Sequence, residues 1–247
     1  MISFPMRGWA VLGALLIAVG GWSPGPAKLA DICPIPDGLE AQAPHLPAFV
    51  AAMRAGGPVA ILAIGSASTN MAGTSFPRLM QETLQAELPA VRVRLVVRGR
   101  QGLTAAEMVP LIAEGLASTH AKLVLWQTGT VDAVQGVRPD ELSDALAQGA
   151  DLARQAGADL ILIDPQFSRF LHANTDLEPY QQAIEDAATQ PGVALFPRFE
   201  MMRDWAERGT LDIENTPQDQ RPQAAALLHA CVGRALAAYI LAGVKQQ

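Results

Sequence analysis

Pro58-Val59-Ala60-Ile61-Leu62-Ala63-Ile64 (PVAILAI) is an unbroken apolar run that stops at Gly65. A half-buried strand alternates apolar and polar side chains. A short continuous run fits a strand covered on both faces, as in the middle of a parallel sheet. Four later segments continue the theme: Val91–Val97 (VRVRLVV), Ala121–Trp126 (AKLVLW), Ala158–Asp164 (ADLILID) and Val193–Phe196 (VALF). Helical segments lie between them. Phe76–Leu88 places Phe76, Leu79, Met80, Leu84 and Leu88 at helical spacing, and Leu103–Leu116, Pro139–Gly157 and Leu177–Thr189 follow. Pro139 suits the first turn of its helix. Phe199–Arg208 and a long last helix, Pro222–Ala242, complete the pattern. Strands alternating with helices predict an α/β fold: a doubly wound, three-layer, parallel five-stranded sheet in a flavodoxin-like order, with the first strand central. Ligands of such sheets sit beyond the carboxyl ends of the strands. Chemistry is therefore expected in the loops that start at Gly65, Arg98, Gln127, Asp164 and Pro197.

Outside this pattern the chain changes character. Residues 57–247 hold the α/β pattern and suit one domain of ordinary size. Residues 31–56 carry Pro34, Pro36, Pro44 and Pro47 around a helix-like piece, Leu46–Ala55, and read as an arm wrapping the domain. Residues 1–30 read as a targeting segment: Arg7 precedes an uncharged apolar stretch, Gly8–Trp22, shorter than a spanning helix usually needs and suited to a signal peptide. Ala30 and Ala27 are the two possible cleavage ends, and an uncleaved membrane anchor is the alternative. The expected location is therefore periplasmic or secreted, with membrane attachment only through an uncleaved N-terminus. Cys33 and Cys231 are the two cysteines. In an oxidising compartment they can form one bridge, closing a long loop worth roughly 4–5 kcal/mol in the chain-entropy model; two unpaired thiols are the other reading.

Half the residues are hydrophobic and 17% are charged, enough apolar surface for a sizeable core. The net charge of −6 disfavours nucleic acid, whose phosphates need a basic footprint. No His, Cys or carboxylate cluster has metal-ligand spacing, no Gly-Lys-Ser/Thr loop follows Gly65, and no dinucleotide fingerprint follows the first strand, so no cofactor is expected.

Three loop segments carry a resemblance. Ile61–Thr69 (ILAIGSAST) is similar to the first block of the SGNH/GDSL hydrolases, an apolar strand followed by Gly-Asp-Ser-Leu-Thr. Val97–Thr104 (VRGRQGLT) resembles the second block, whose glycine offers its N–H to an oxyanion. Val124–Ala133 (VLWQTGTVDA) resembles the third, a strand followed by Gly-x-Asn-Asp. The likeness spans about residues 57–240 and reaches His229–Arg234 (HACVGR), which resembles the final helix of an exported proteobacterial branch. It implies an SGNH-type fold and an esterase-like site, with Gly102 as oxyanion donor. The departures bear on chemistry. Aligned on Gly65 and Thr69, Ala67 stands at the nucleophile, Ser66 at the aspartate and Ser68 at the leucine. Val131 stands at the asparagine, and Gln220 and Gln223 stand where the family carries Asp-x-x-His. Acyl transfer needs a nucleophile, a base and oxyanion donors. Alanine has no nucleophilic atom, glutamine takes no proton near neutral pH, and valine donates nothing.

Among the four histidines, His45 lies in the arm, His120 falls at the amino end of the third strand, and His229 reads as a packed or surface residue of the last helix. His172, after the fourth strand, is the one candidate base. An active variant would use Ser66 or Ser68 with His172 and Gly102. Polar residues at the carboxyl edge (Arg98, Arg100, Gln127, Thr130, Asp132, Asp164, Gln166, Ser168, Arg169), with Ala67, read either as a cleft for a polyhydroxylated or acidic ligand or as a solvated, helix-capping rim. Asp132 would cap the helix that follows or pair with an arginine, and Trp126 reads as core. The expectation is an exported hydrolase-like protein without catalysis, binding an envelope glycan, a lipid-linked or acylated ligand, or a protein partner. The alternative is an atypical ester hydrolase or deacetylase.

Overall fold

Five strands form on the apolar runs: β1 (Val59–Gly65), β2 (Val93–Gly99), β3 (Leu123–Gln127), β4 (Asp159–Ile163) and β5 (Val193–Phe196). The structure is a computed structural model that describes residues 26–70 and 74–247. All strand pairs are parallel, in the order β2-β1-β3-β4-β5, so the first strand is internal and the winding reverses beside it. The fold is the expected three-layer α/β architecture. The register sets Gly65 against Gly99, Ile64 against Trp126, Gln127 against Ile163 and Ile163 against Phe196. The carboxyl ends therefore finish level and present their loops along one edge.

Burial explains the strand sequences. Every residue of β1, β3 and β4 is buried, which is why these runs do not alternate. On one face pack α4 (Phe76–Glu87) and α11 (Arg221–Lys245), joined by α3 (Pro47–Arg54) and α10 (Arg198–Glu207). On the other pack α5 (Ala105–Thr119), α7 (Pro139–Gln155) and α9 (Glu178–Ala188). Trp126 is wholly buried on that second face, where it donates to the Met108 sulfur and lies so close to Gly149 that a Cβ there would stand 2.2 Å from the ring. Each large side chain so buried contributes about 1.5–3 kcal/mol. α11 is long and apolar enough to cross a membrane, but Cys231, Ala235, Leu236 and Ile240 face the core.

The arm is more structured than its prolines suggest. Besides α3 it forms α1 (Pro26–Ile32) and α2 (Asp37–Ala41), and Leu39, Leu46 and Phe49 are core residues. Asp159, at the amino end of β4, accepts hydrogen bonds from the N–H groups of Ala48 and Phe49 and so caps α3. Burial raises its carboxyl pKa and those bonds oppose the shift. The Trp205 indole donates to the Pro34 carbonyl, and Arg234 donates to the Cys33 carbonyl. A disulfide joins Cys33 to Cys231, with Cα atoms 5.8 Å apart. α1 runs through the junction of Ala30 and Asp31, and the apolar stretch Gly8–Trp22 lies outside the described residues. Two short helices fall where the sequence suggested only loops: α6 (Thr130–Gln135) and α8 (Arg169–Asn174). Six residues are too few for a helical period to register, and both follow a strand directly at the carboxyl edge.

Candidate functional site

The β1 loop is shaped by two glycines. A Cβ on Gly99 would stand 1.9 Å from the Gly65 carbonyl oxygen, at a φ of +130° that favours glycine anyway. A Cβ on Gly65 would stand 2.1 Å from the Thr69 hydroxyl. This close approach lets the chain turn sharply into Ser66-Ala67-Ser68-Thr69. At the tip Ala67 is exposed, while Ser66 and Thr69 are buried. The side chain offered to solvent at the turn is thus a methyl group.

The hydroxyls around Ala67 point inward and are occupied. Ser66 Oγ accepts the Gly102 N–H at 3.2 Å. That N–H is the donor expected to face an oxyanion, and here it faces the protein's own serine. Ser68 and Thr69 both donate to Gln127 Oε1, at 2.7 and 2.5 Å. The Asn70 side chain donates to the Gly99 carbonyl, closing the loop onto β2.

At the end of β3 the buried Thr128 hydroxyl has no partner, but the carboxylate that follows is fully engaged. Asp132 is 1% exposed, and its two oxygens accept the N–H of Ala105 at 2.9 Å and of Gly129 at 3.2 Å. It therefore caps α6, as one of the two sequence readings held, and also anchors the first turn of α5. It forms no ion pair with an arginine among the described residues. Burial raises its pKa, with the backbone donors opposing. Gln135 donates to the Gly102 carbonyl, so the oxyanion-type glycine is held on both sides.

The remaining cleft residues separate. Arg98 turns onto α5, donating to Ser118 and lying 3.8 Å from Glu114, and so does not face the cleft. Arg100 is exposed beside the start of α5, near Glu107. Thr130 accepts the Gln166 N–H at 3.3 Å and links the β3 and β4 loops. Arg169 pairs with Asp212 at 2.9 Å and donates to the Ala206 carbonyl. Ser168 donates to Glu214, which also accepts the N–H groups of Arg169 and Phe170 and so caps α8 from a distant loop. His172 is exposed, with its ring centroid 6.4 Å from that of Phe167 and 6.1 Å from that of Phe199. No hydrogen bond joins it to Ser66 or Ser68 among the described residues. Gln220 precedes α11 and Gln223 lies in its exposed first turn. Among the described residues no group of three His, Cys, Asp or Glu side chains is placed to hold a metal ion.

Two buried ionisable groups, Asp164 and Arg198, stand at the ends of β4 and β5, and a third, His229, faces the segment before α4; sequence reasoning passed over Arg198. Arg198, directly after β5, is 3% exposed. Its Nε donates to the Asp164 carbonyl, and its Nη2 has no partner. The Asp164 carboxylate accepts the Phe199 N–H, and burial pushes its pKa up to about 7. Burial likewise pushes the Arg198 guanidinium down to about 10. His229, on α11, lies edge-on to Phe76, and its Nδ1 is 2.8 Å from the Thr74 carbonyl. A carbonyl only accepts, so Nδ1 carries the proton. Burial lowers the His229 pKa, and the nearby Arg198 charge adds to this. The signal for Arg198 was present in the sequence as a charge two residues past an apolar strand.

A family model for the non-GDSL lipase-like family matches residues 32–246. The chain belongs to that family. None of the curated proteins compared with the chain matches it. Among solved structures, a catalytic mutant of Axe2, an acetylxylan esterase from Geobacillus stearothermophilus, superimposes with a TM-score of 0.63 at 18% identity, covering 75% of this chain and 95% of that one. LAE5, an α/β hydrolase from the metagenome of Lake Arreo, gives 0.61 at 17% identity, covering 74% and 96%. TesA gives 0.50 at 21% identity, covering 68% and 94%. This family member therefore has the SGNH/GDSL hydrolase fold and is esterase-like in architecture.

Proposed function

We propose that this protein is a non-catalytic member of its family, exported to the cell envelope, where it binds an acylated or glycan ligand or a protein partner. The observation that carries this reading is the Ser66–Gly102 hydrogen bond beneath an exposed Ala67. A hydrolase of this kind needs an open N–H for the oxyanion and a hydroxyl beside a base. Here the N–H is taken, Val131 has no donor to add, and no imidazole reaches either serine among the described residues. The disulfide supports export, since such bridges persist in oxidising compartments.

The test is reaction with a fluorophosphonate probe and turnover of short acyl nitrophenyl esters. The wild-type protein is expected to show neither above the buffer rate. Stoichiometric labelling that disappears in Ser66→Ala or Ser68→Ala would establish the atypical hydrolase instead and end the non-catalytic reading.

A further inference from the structure

A cavity of about 240 Å³ opens between the β4 loop, α10, the loop before α11, and α11 itself. Phe167, Met202, Leu211 and Leu228 give it an apolar lining. Its polar rim is already engaged: Asp212 with Arg169, and Glu214 with Ser168 and two backbone donors. The rim therefore offers no free carboxylate to a ligand.

The buried Arg198 does not itself line the cavity, but neighbours of the lining residues lead to it. Met202 follows Arg198 by one turn of α10, so the two share a helix face. Leu228 adjoins His229 on α11, and Phe167 packs edge-on against Phe199 with ring centroids 5.4 Å apart. Arg198 has no carboxylate oxygen within 4 Å among the described residues, and its Nη2 is unpartnered. A second unpartnered buried donor, Ser75 Oγ, lies between Thr74 and Phe76, both of which touch His229. A buried cation without an ion-pair partner is costly, and burial is tolerated when an anion or a set of acceptors answers it. Asp164 answers only in part, because its carboxyl is engaged by the Phe199 N–H and burial pushes its pKa up to about 7.

We infer that this site binds a monocarboxylate with a short apolar chain: the carboxylate pairs with Arg198 Nη2, and the chain fills the cavity as Met202 gives way. Methionine is suited to that movement, being unbranched and flexible. A carboxylate answers the guanidinium in the geometry that arginine favours, and an apolar chain matches the lining. Neither Ser66 nor Gly102 lines this cavity. It deepens the non-catalytic reading by naming a ligand class, and rests on that reading only for the claim that such a ligand is held and not turned over.

The test is titration calorimetry of the full chain with hexanoate, acetate and hexanol, on the wild type, Arg198→Met and Met202→Trp. Hexanoate is expected to bind saturably and raise the unfolding midpoint by several degrees, since it binds only the folded state. Hexanol should bind at least tenfold more weakly. Arg198→Met should fold, because an apolar residue of similar length often replaces a buried charge without loss, and should lose at least tenfold in hexanoate affinity. Met202→Trp should weaken hexanoate tenfold and leave acetate unchanged. Equal affinities for hexanoate and hexanol, or no hexanoate binding, overturn the inference even if Arg198→Met fails to fold. Fluorophosphonate labelling of a protein that still binds hexanoate would refute the non-catalytic reading and leave this site standing.

Discussion

The carboxyl edge of the sheet is two regions built on opposite terms. Across β2, β1 and β3, most polar groups are matched within the protein: Ser66 with Gly102, Ser68 and Thr69 with Gln127, Asp132 with Ala105 and Gly129, while Arg98 Nε and Thr128 Oγ1 stay without a partner. Across β4 and β5, ionisable groups are buried more deeply than they are matched: Arg198 retains a free nitrogen and Asp164 is held near neutrality. A matched region is rigid and has nothing to offer a ligand. An unmatched one stores an unfavourable desolvation that a ligand can relieve. The contrast teaches that, in a fold whose usual site is the first kind of edge, binding capacity has to be sought at the second.

The strongest way to break the comparison is at Asp132. Asp132→Ala removes the acceptor for two backbone donors and leaves a void in a buried position. At about 1–3 kcal/mol for each unmatched donor, a loss of about 3–5 kcal/mol is expected in denaturant unfolding. Asp132→Asn keeps one accepting oxygen and should lose less than half as much. Equal losses for the two would mean that the carboxylate charge, and not the hydrogen bonds, holds α5 and α6.

The second probe reads the unmatched side through pH. Asp164 has a folded-state pKa near 7 against an ordinary value of 3.8. Between those values the folded protein holds more protons than the unfolded chain, so this group's contribution makes stability fall as pH rises from about 4 to about 7. His229 works in the other direction over an overlapping window: its lowered folded pKa means that stability is lost as pH falls below its ordinary 6.5. Asp164→Asn keeps an oxygen for the Phe199 N–H and removes the charge. It should stabilise on the order of 4 kcal/mol at pH 8, from a rise of 3.8 to about 7 at about 1.4 kcal/mol per pKa unit, and make no difference at pH 4. A variant less stable than wild type at pH 8 would show that the Asp164 charge is a needed counter-ion for Arg198.

A smaller effect is expected at Gln127. Gln127→Leu keeps most of the volume and removes the acceptor shared by Ser68 and Thr69. Ser68 is half-buried and can turn to water, whereas Thr69 is 1% exposed and cannot. A loss of about 1–2 kcal/mol in thermal or denaturant unfolding is expected, for one buried hydroxyl left without its partner.

The sequence carried the fold because the fold rests on burial. Runs such as PVAILAI and ADLILID have no alternation, and only a sheet covered on both faces accepts them. The β1 loop was legible for a related reason, since an apolar strand ending at Gly65 fixes where Ala67 must stand. What was hidden depends on long-range partners. Glu214 caps α8 from 44 residues away along the chain, and nothing local marks it. Arg98 and Arg100 share a loop with Gly102, yet Arg98 turns to α5, because an edge strand leaves its end free to swing outward. His229 read as a packed helix residue, and it is packed; its neighbourhood with Arg198 joins α11 to α10 and could not be counted from spacing.

The smallest effect tests the matched region most directly. Ser66→Ala removes the oxygen that occupies the Gly102 N–H, in a site that is partly open to water. Water can take the vacated place, so a stability change of about 1 kcal/mol or less is expected. The chemical consequence separates two accounts of the proposed lack of activity. If the Ser66 plug alone silences the site, freeing Gly102 should raise ester turnover from the buffer rate. If the loss lies in the absent nucleophile and base, the variant should remain silent, because an oxyanion donor with no oxyanion forming beside it accelerates nothing. The second result is expected, since Ala67 has no atom with which to begin the reaction.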